Sequence, residues 1–149
     1  MARTRVYLDV CCLNRPADDL SSGRNRLEAE AILSIVAQAD REWDLVGSDA
    51  VQYEVRQCSD PVRRTAALEL ASSASSTVVA GQAEYARAAE LIRLGIGDLD
   101  ALHVACAEAG GCDVMLTTDD RLLRRASRHQ AQLQVRLENP VAWLMEQTP

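Results

Sequence analysis

The sequence predicts an α/β fold, a three-layer α/β/α sandwich with a central parallel sheet. Two observations predict it. Short apolar runs of strand length alternate with longer segments whose apolar residues recur at helical spacing, the order that builds parallel sheets covered on both faces. The first run, Val6 to Cys12, is nearly continuous in apolar character, which suits a central strand buried on both sides. The 149 residues fit one domain spanning 1–149. A chain of that size buries roughly 70% of its unfolded surface and needs no disulfide or structural metal to fold.

The elements follow in order. Asn14-Arg15-Pro16 breaks the first strand. From about Gly23 a helix carries Leu27, Ala31, Ile32, Ile35, Val36 and Ala39 on its inner face. Leu45-Val46-Gly47 is a second strand, and Ser48 or Asp49 caps a helix through Val51, Glu54 and Val55. Asp60-Pro61 pairs a cap with a first-turn proline and starts a helix through Ala66, Leu68 and Leu70. Thr77-Val78-Val79 is a third strand. Gln82 to Leu94 is helical, with Ala86, Ala89, Leu91 and Ile92 expected inside, and Gly95-Ile96-Gly97 ends it. The next helix starts near Asp98, turns Leu102, Ala105, Cys106 and Ala109 inward, and stops at Gly110-Gly111. Val114 to Thr118 is a fourth strand, followed by a helix from Asp119 and an edge-like strand over Gln134 to Leu137. A last helix from Pro140 packs Val141 and Leu144 inward.

Composition excludes several classes. No apolar run is long enough to span a bilayer. The opening MARTRVYLDV carries no separate apolar segment or cleavage site, so a cytoplasmic protein is expected. Five cysteines at irregular spacing, with no CxxC pair, argue for buried thiols rather than a disulfide framework or a zinc site. The net charge is −6 and every side-chain cation other than histidine is arginine, which disfavours nonspecific duplex binding by a basic surface. Arg121, Arg124, Arg125 and Arg128 cluster and could hold phosphates or form a solvated helix face. Aromatic residues are 3% of the chain, too few for a base-stacking platform. There is no glycine-rich phosphate loop and no serine nucleophile motif. Cys11-Cys12, read as part of a strand, lacks the helix-start position that activates a thiol.

Four acids stand out. Asp9 interrupts an apolar strand, where a lone carboxylate is costly without a cation or donors. Asp119 directly follows the fourth strand, so Asp9 and Asp119 meet at a topological switch point if their strands are neighbours. Asp100 lies in the first turn of a helix, where the dipole favours an acid regardless of function. Glu54 lies in the helix after the second strand, and alone would be read as a surface residue. His103, one turn after Asp100, is expected to be a hydrogen-bonded structural residue rather than a base.

The segments Tyr7-Leu8-Asp9, Ser48 to Glu54, Asp100-Ala101-Leu102-His103-Val104-Ala105 and Leu116-Thr117-Thr118-Asp119 together resemble the PIN-domain family, in the right order over essentially the whole chain. Its small members are mostly VapC-like toxin ribonucleases. The resemblance implies an endoribonuclease that hydrolyses RNA to 5′-phosphate and 3′-hydroxyl ends, with Mg²⁺ or Mn²⁺ held by Asp9, Glu54, Asp100 and Asp119. It also implies a cognate antitoxin and a homodimer. Oxygen ligands without thiolate or imidazole suit those hard ions. The chain departs from the family where a small hydroxyl residue or Asn often follows the first Asp: Val10, Cys11 and Cys12 stand here. Asp98 and Asp120 are close enough in sequence to substitute for, or assist, Asp100 and Asp119. The alternatives are a housekeeping RNA-processing nuclease with the same site and a non-catalytic RNA- or protein-binding module. A receiver-like phosphoacceptor domain fits poorly, because paired acids after the first strand and a late lysine are missing.

Overall fold

The computed structural model describes residues 2–147. Its five strands are β1 Thr4–Leu8, β2 Trp43–Ser48, β3 Ser76–Val78, β4 Val114–Leu116 and β5 Arg136–Glu138. They form one wholly parallel sheet in the order β3-β2-β1-β4-β5. The chain therefore runs outward from β1 through β2 to β3, crosses back, and runs outward again through β4 to β5. Strand order reverses between β1 and β4, where Val6 pairs with Val114 and Leu8 with Leu116.

The helices are α1 Val10–Asn14, α2 Gly23–Ala37, α3 Asp49–Arg56, α4 Pro61–Ala71, α5 Gln82–Arg93, α6 Asp98–Ala109, α7 Asp120–Arg128 and α8 Pro140–Gln147. Right-handed crossovers put α1 to α4 on one face and α5 to α7 on the other. Contacts agree: α1 packs on α2 and α4, and α8 returns to α2, while α6 lies across β2, β3 and β4 beneath α5. This is the α/β/α sandwich expected. The central strands are buried throughout at Val6, Tyr7, Leu8, Val114, Met115 and Leu116. Each fully buried large side chain such as Ile32 or Ile35 contributes about 1.5–3 kcal/mol relative to exposure. Trp43 and Trp143 meet edge to face with ring centroids 4.9 Å apart, which anchors α8 beside the start of β2.

Several expectations need correction. The first strand ends at Leu8, not Cys12, because the Asp9 side chain accepts from the Val10 N–H and turns the chain into α1. Cys11 and Cys12 are therefore helical. Leu27 is 56% exposed; the inward place on α2 goes to Glu28, whose buried carboxylate is met by Arg15, Arg24 and Asn139 at 2.7 to 3.2 Å. On α5 the inner row is Ala88 and Leu91, with Ala86, Ala89 and Ile92 outside. The alanine-rich sequence has no sharp apolar stripe there, and packing on α6 chose the row. Ala109 is exposed at the end of α6. Gly110 takes the sheet-facing place, where a Cβ would lie 2.9 Å from Val46 Cγ1.

Candidate active site

The carboxyl edge of the sheet at the β1/β4 reversal gathers all four predicted acids. Asp9 directly follows β1, and its N–H donates to the Leu116 carbonyl of β4. The carboxylate is 4% exposed. Oδ1 accepts from Val10 N–H at 2.8 Å, and Oδ2 accepts from Thr117 Oγ1 at 2.8 Å and Cys11 Sγ at 3.3 Å. Burial pushes the Asp9 carboxyl above its ordinary range; the neighbouring His103 and the bonds from Thr117 and Cys11 pull it back, and Glu54 raises it.

Asp119 follows β4 after Thr117 and Thr118 and caps α7, accepting from the N–H groups of Arg121 and Leu122 at 2.9 and 3.2 Å. It is thus both a cap and a member of the acidic group. Asp100 is half-buried in the first turn of α6 and shares a surface hollow with Asp119. Its carboxyl is pushed up to about 6, chiefly by burial and then by the charges of Asp9, Asp119 and Glu54. Glu54 comes from α3, which begins without a loop after β2 because Ser48 caps it. Asp9 and Glu54 also lie close to His103: each of the three offers one ligand atom within 4.8 Å of the others.

His103 is fully buried and spent on protein contacts. One ring nitrogen, Nε2, lies 2.8 Å from Glu54 Oε1, and the other, Nδ1, lies 2.6 Å from the Tyr7 hydroxyl. An ionised Glu54 only accepts, so Nε2 donates to it and Nδ1 accepts from Tyr7. Tyr7 in turn meets Ser48 Oγ at 2.7 Å. Burial raises the Tyr7 hydroxyl well above its ordinary value and keeps it a neutral donor. This chain of bonds joins β1, β2, α3 and α6 and orients Glu54. It makes His103 the structural, hydrogen-bonded histidine expected.

The two acids left open are separated by geometry. Asp120 points into Arg24, which grips it through Nη1 at 2.7 Å and Nη2 at 2.9 Å. Asp98 is exposed at the start of α6. Sequence reasoning did not pick out Tyr7, Ser48, Thr117 or Cys11 as supports of the acids. Cys11 is the surprise: its sulfur bonds Asp9, contacts Thr117 at 3.2 Å and accepts from the Thr118 N–H at 3.3 Å. A thiol two residues after the first acid here makes the contacts of a small hydroxyl. Only its position, in the first turn of an unforeseen helix, could have signalled it.

The clustered acids have the donor set of a hard divalent cation, oxygen ligands with the nearby imidazole already engaged. The protein-family comparison matches the PIN domain over residues 7–128. The chain belongs to the PIN-domain family. Solved PIN-fold neighbours agree. VapBC-1 from nontypeable Haemophilus influenzae aligns with a TM-score of 0.58 at 15% identity, covering 92% of this chain and 98% of that one. FitAcB from Neisseria gonorrhoeae aligns with a TM-score of 0.58 at 15% identity, covering 91% and 97%. VapBC2 from Rickettsia felis, solved with a DNA fragment from its promoter, gives a TM-score of 0.50 at 19% identity over 91% and 98%. At these identities the likeness is one of fold. No curated protein matches the chain. Among the described residues of this PIN domain, no helix is long and apolar enough to cross a membrane.

Proposed function

We propose that this PIN domain is a metal-dependent endoribonuclease and the toxin of a toxin–antitoxin pair, with Asp9, Glu54, Asp100 and Asp119 as catalytic metal ligands. The observation that carries the reading is the convergence of these four carboxylates at the strand-order reversal, where ligands of open α/β sheets bind. The residues fit Mg²⁺ or Mn²⁺. Asp9 is already oriented by three donors and Glu54 by His103, and the Asp100 carboxyl is raised by burial and then by neighbouring acids whose repulsion a bound cation would relieve. A bound divalent ion would supply a nucleophilic water at neutral pH and polarise the scissile phosphate. The chain's own residues set where that chemistry occurs. Thr117 and Cys11 hold the Asp9 carboxylate in place, the Tyr7–His103 pair holds Glu54, and the capping bonds hold Asp119.

The toxin role and a cognate antitoxin rest on the resemblance to VapC-like proteins and on the VapBC neighbours. A housekeeping RNA-processing nuclease would carry the same site. A neighbouring small reading frame encoding a DNA-binding protein favours the toxin. A homodimer would cover some of the exposed apolar side chains, among them Tyr53 and Tyr85, and a cytoplasmic location follows from an RNA target.

The test is RNA cleavage with Mn²⁺, Mg²⁺ and EDTA. The parent is expected to cut only with metal and to leave 5′-phosphate ends. Asp9→Asn and Asp119→Asn should slow cleavage by roughly 100-fold or more, the scale on which losing one preorganised electrostatic contact slows a reaction. Asp120→Asn should cut like the parent. Metal-independent cleavage, or full activity in Asp9→Asn, refutes the assignment; a parent that binds RNA without cutting it favours the binding module.

A further inference from the structure

Most arginines of this chain are tied down. Arg24 grips Asp120, Arg87 grips Glu108, Arg63 holds Asp18, and Arg136 holds Glu146. The guanidinium groups of Arg121 and Arg125 on α7 make no hydrogen bond or ion pair among the described residues. Yet both line the hollow of about 280 Å³ that Asp100 and Asp119 also line, opposite the turn Gly95 to Gly97.

Two features make this more than a basic helix face. Arg125 lies against the turn: a Cβ at Gly95 would overlap Arg125 Nη1, and Gly95 has φ +95°, so glycine is what lets the guanidinium sit there. Moreover, the Arg121 and Leu122 N–H groups at the start of α7 are taken by Asp119, so the charged donors that α7 offers the hollow are the two guanidinium groups. Were their task to neutralise the acids, they would pair with Asp100 or Asp119 as Arg24 pairs with Asp120. Two unpaired planar donor forks beside a carboxylate cluster are suited to an incoming anion with several oxygens, and a phosphodiester offers that geometry.

We propose that Arg121 and Arg125 form a phosphate subsite that holds the backbone phosphate of single-stranded RNA adjoining the one cleaved. The strand then runs from the acidic cluster across the Gly95–Gly97 turn. This rests on the nuclease reading. It also explains how a chain of net charge −6 holds a polyanion: binding is local, at one end of the sheet.

The test uses steady-state cleavage of a fluorescein-labelled single-stranded RNA in Mn²⁺ at several KCl concentrations, with anisotropy of the same RNA in EDTA. In Arg121→Gln/Arg125→Gln, KM should rise about tenfold or more with a smaller change in kcat. The slope of log affinity against log salt should flatten by about 1.4, two phosphate contacts at roughly 0.7 each. Arg121→Lys/Arg125→Lys should recover most of that slope. Arg3→Gln/Arg41→Gln removes equal charge at the opposite edge of the sheet and should behave like the parent. Melting curves of each variant exclude misfolding. If the parent cuts RNA and the Arg121/Arg125 variant matches it in KM and salt slope, this proposal fails while the nuclease reading stands, and the pair is left to an acidic protein segment. If the parent neither cuts nor binds RNA, both readings fail.

Discussion

Replacing Asp100 by Asn removes one of four mutually repelling carboxylates without removing a hydrogen bond that Asn cannot mimic. Asp9 is a poorer choice, because its carboxylate receives three donors that hold α1 and β4 together. The Asp100 carboxyl is raised from 3.8 to about 6. In the folded protein it therefore holds its proton more tightly than in the unfolded chain. The raised value favours the fold below the ordinary carboxylate range, and that advantage is lost as pH climbs through about 6. At about 1.4 kcal/mol per pH unit the ceiling is about 3 kcal/mol. Solvent reaches the half-buried group, and screening reduces this to about 1–2 kcal/mol. Without metal at pH 7.5, Asp100→Asn should melt about 3 to 6 °C above the parent. The gain should shrink between pH 6 and 4. In Mn²⁺ the order should reverse, because the parent gains more from binding. The assay is a set of melting curves in EDTA and in Mn²⁺ across that pH range. A variant that melts at or below the parent in EDTA at pH 7.5, or whose gain persists at pH 4, refutes the claim that burial and the neighbouring acids make an ionised Asp100 costly without metal.

Thr117→Val removes the hydroxyl that donates to Asp9 in a fully buried setting; a loss of about 1.5–3 kcal/mol and weaker Mn²⁺ binding by titration calorimetry are expected. Cys11→Ser keeps a donor to Asp9 and should retain cleavage, whereas Cys11→Ala should lower Mn²⁺ affinity by roughly tenfold, as loss of a group orienting a ligand does. Arg87→Met leaves Glu108, whose side chain is 4% exposed, without its two-pronged partner; urea unfolding should register a loss of about 3 kcal/mol. His103→Phe fills the space but frees Glu54 and Tyr7. It should lower cleavage with little change in helix content by circular dichroism, and wild-type rates in that variant would show that Glu54 needs no orienting partner.

The local pattern of the chain carried most of the architecture. Strand-length apolar runs, capping pairs such as Asp60-Pro61 and helix stops such as Gly110-Gly111 act over a few residues, so periodicity and turn chemistry expose them. The four acids were visible because Asp9 breaks an apolar run and Asp119 ends one, and because the segments around all four match a family pattern. What the sequence could not decide lies in contacts between distant residues. Thr117 reaches Asp9 across 108 residues, His103 reaches Tyr7 across 96, and Tyr7 reaches Ser48 across 41. Those partners meet only because β1 lies between β2 and β4, an order that no local signal encodes. The different surroundings of Asp119 and Asp120 have the same origin. Neighbours in sequence, they part only when Arg24 arrives from α2 and draws Asp120 away. The inner face of α5 is decided by α6, since an alanine-rich helix has nearly equal apolar character on several faces and takes its orientation from whatever packs against it.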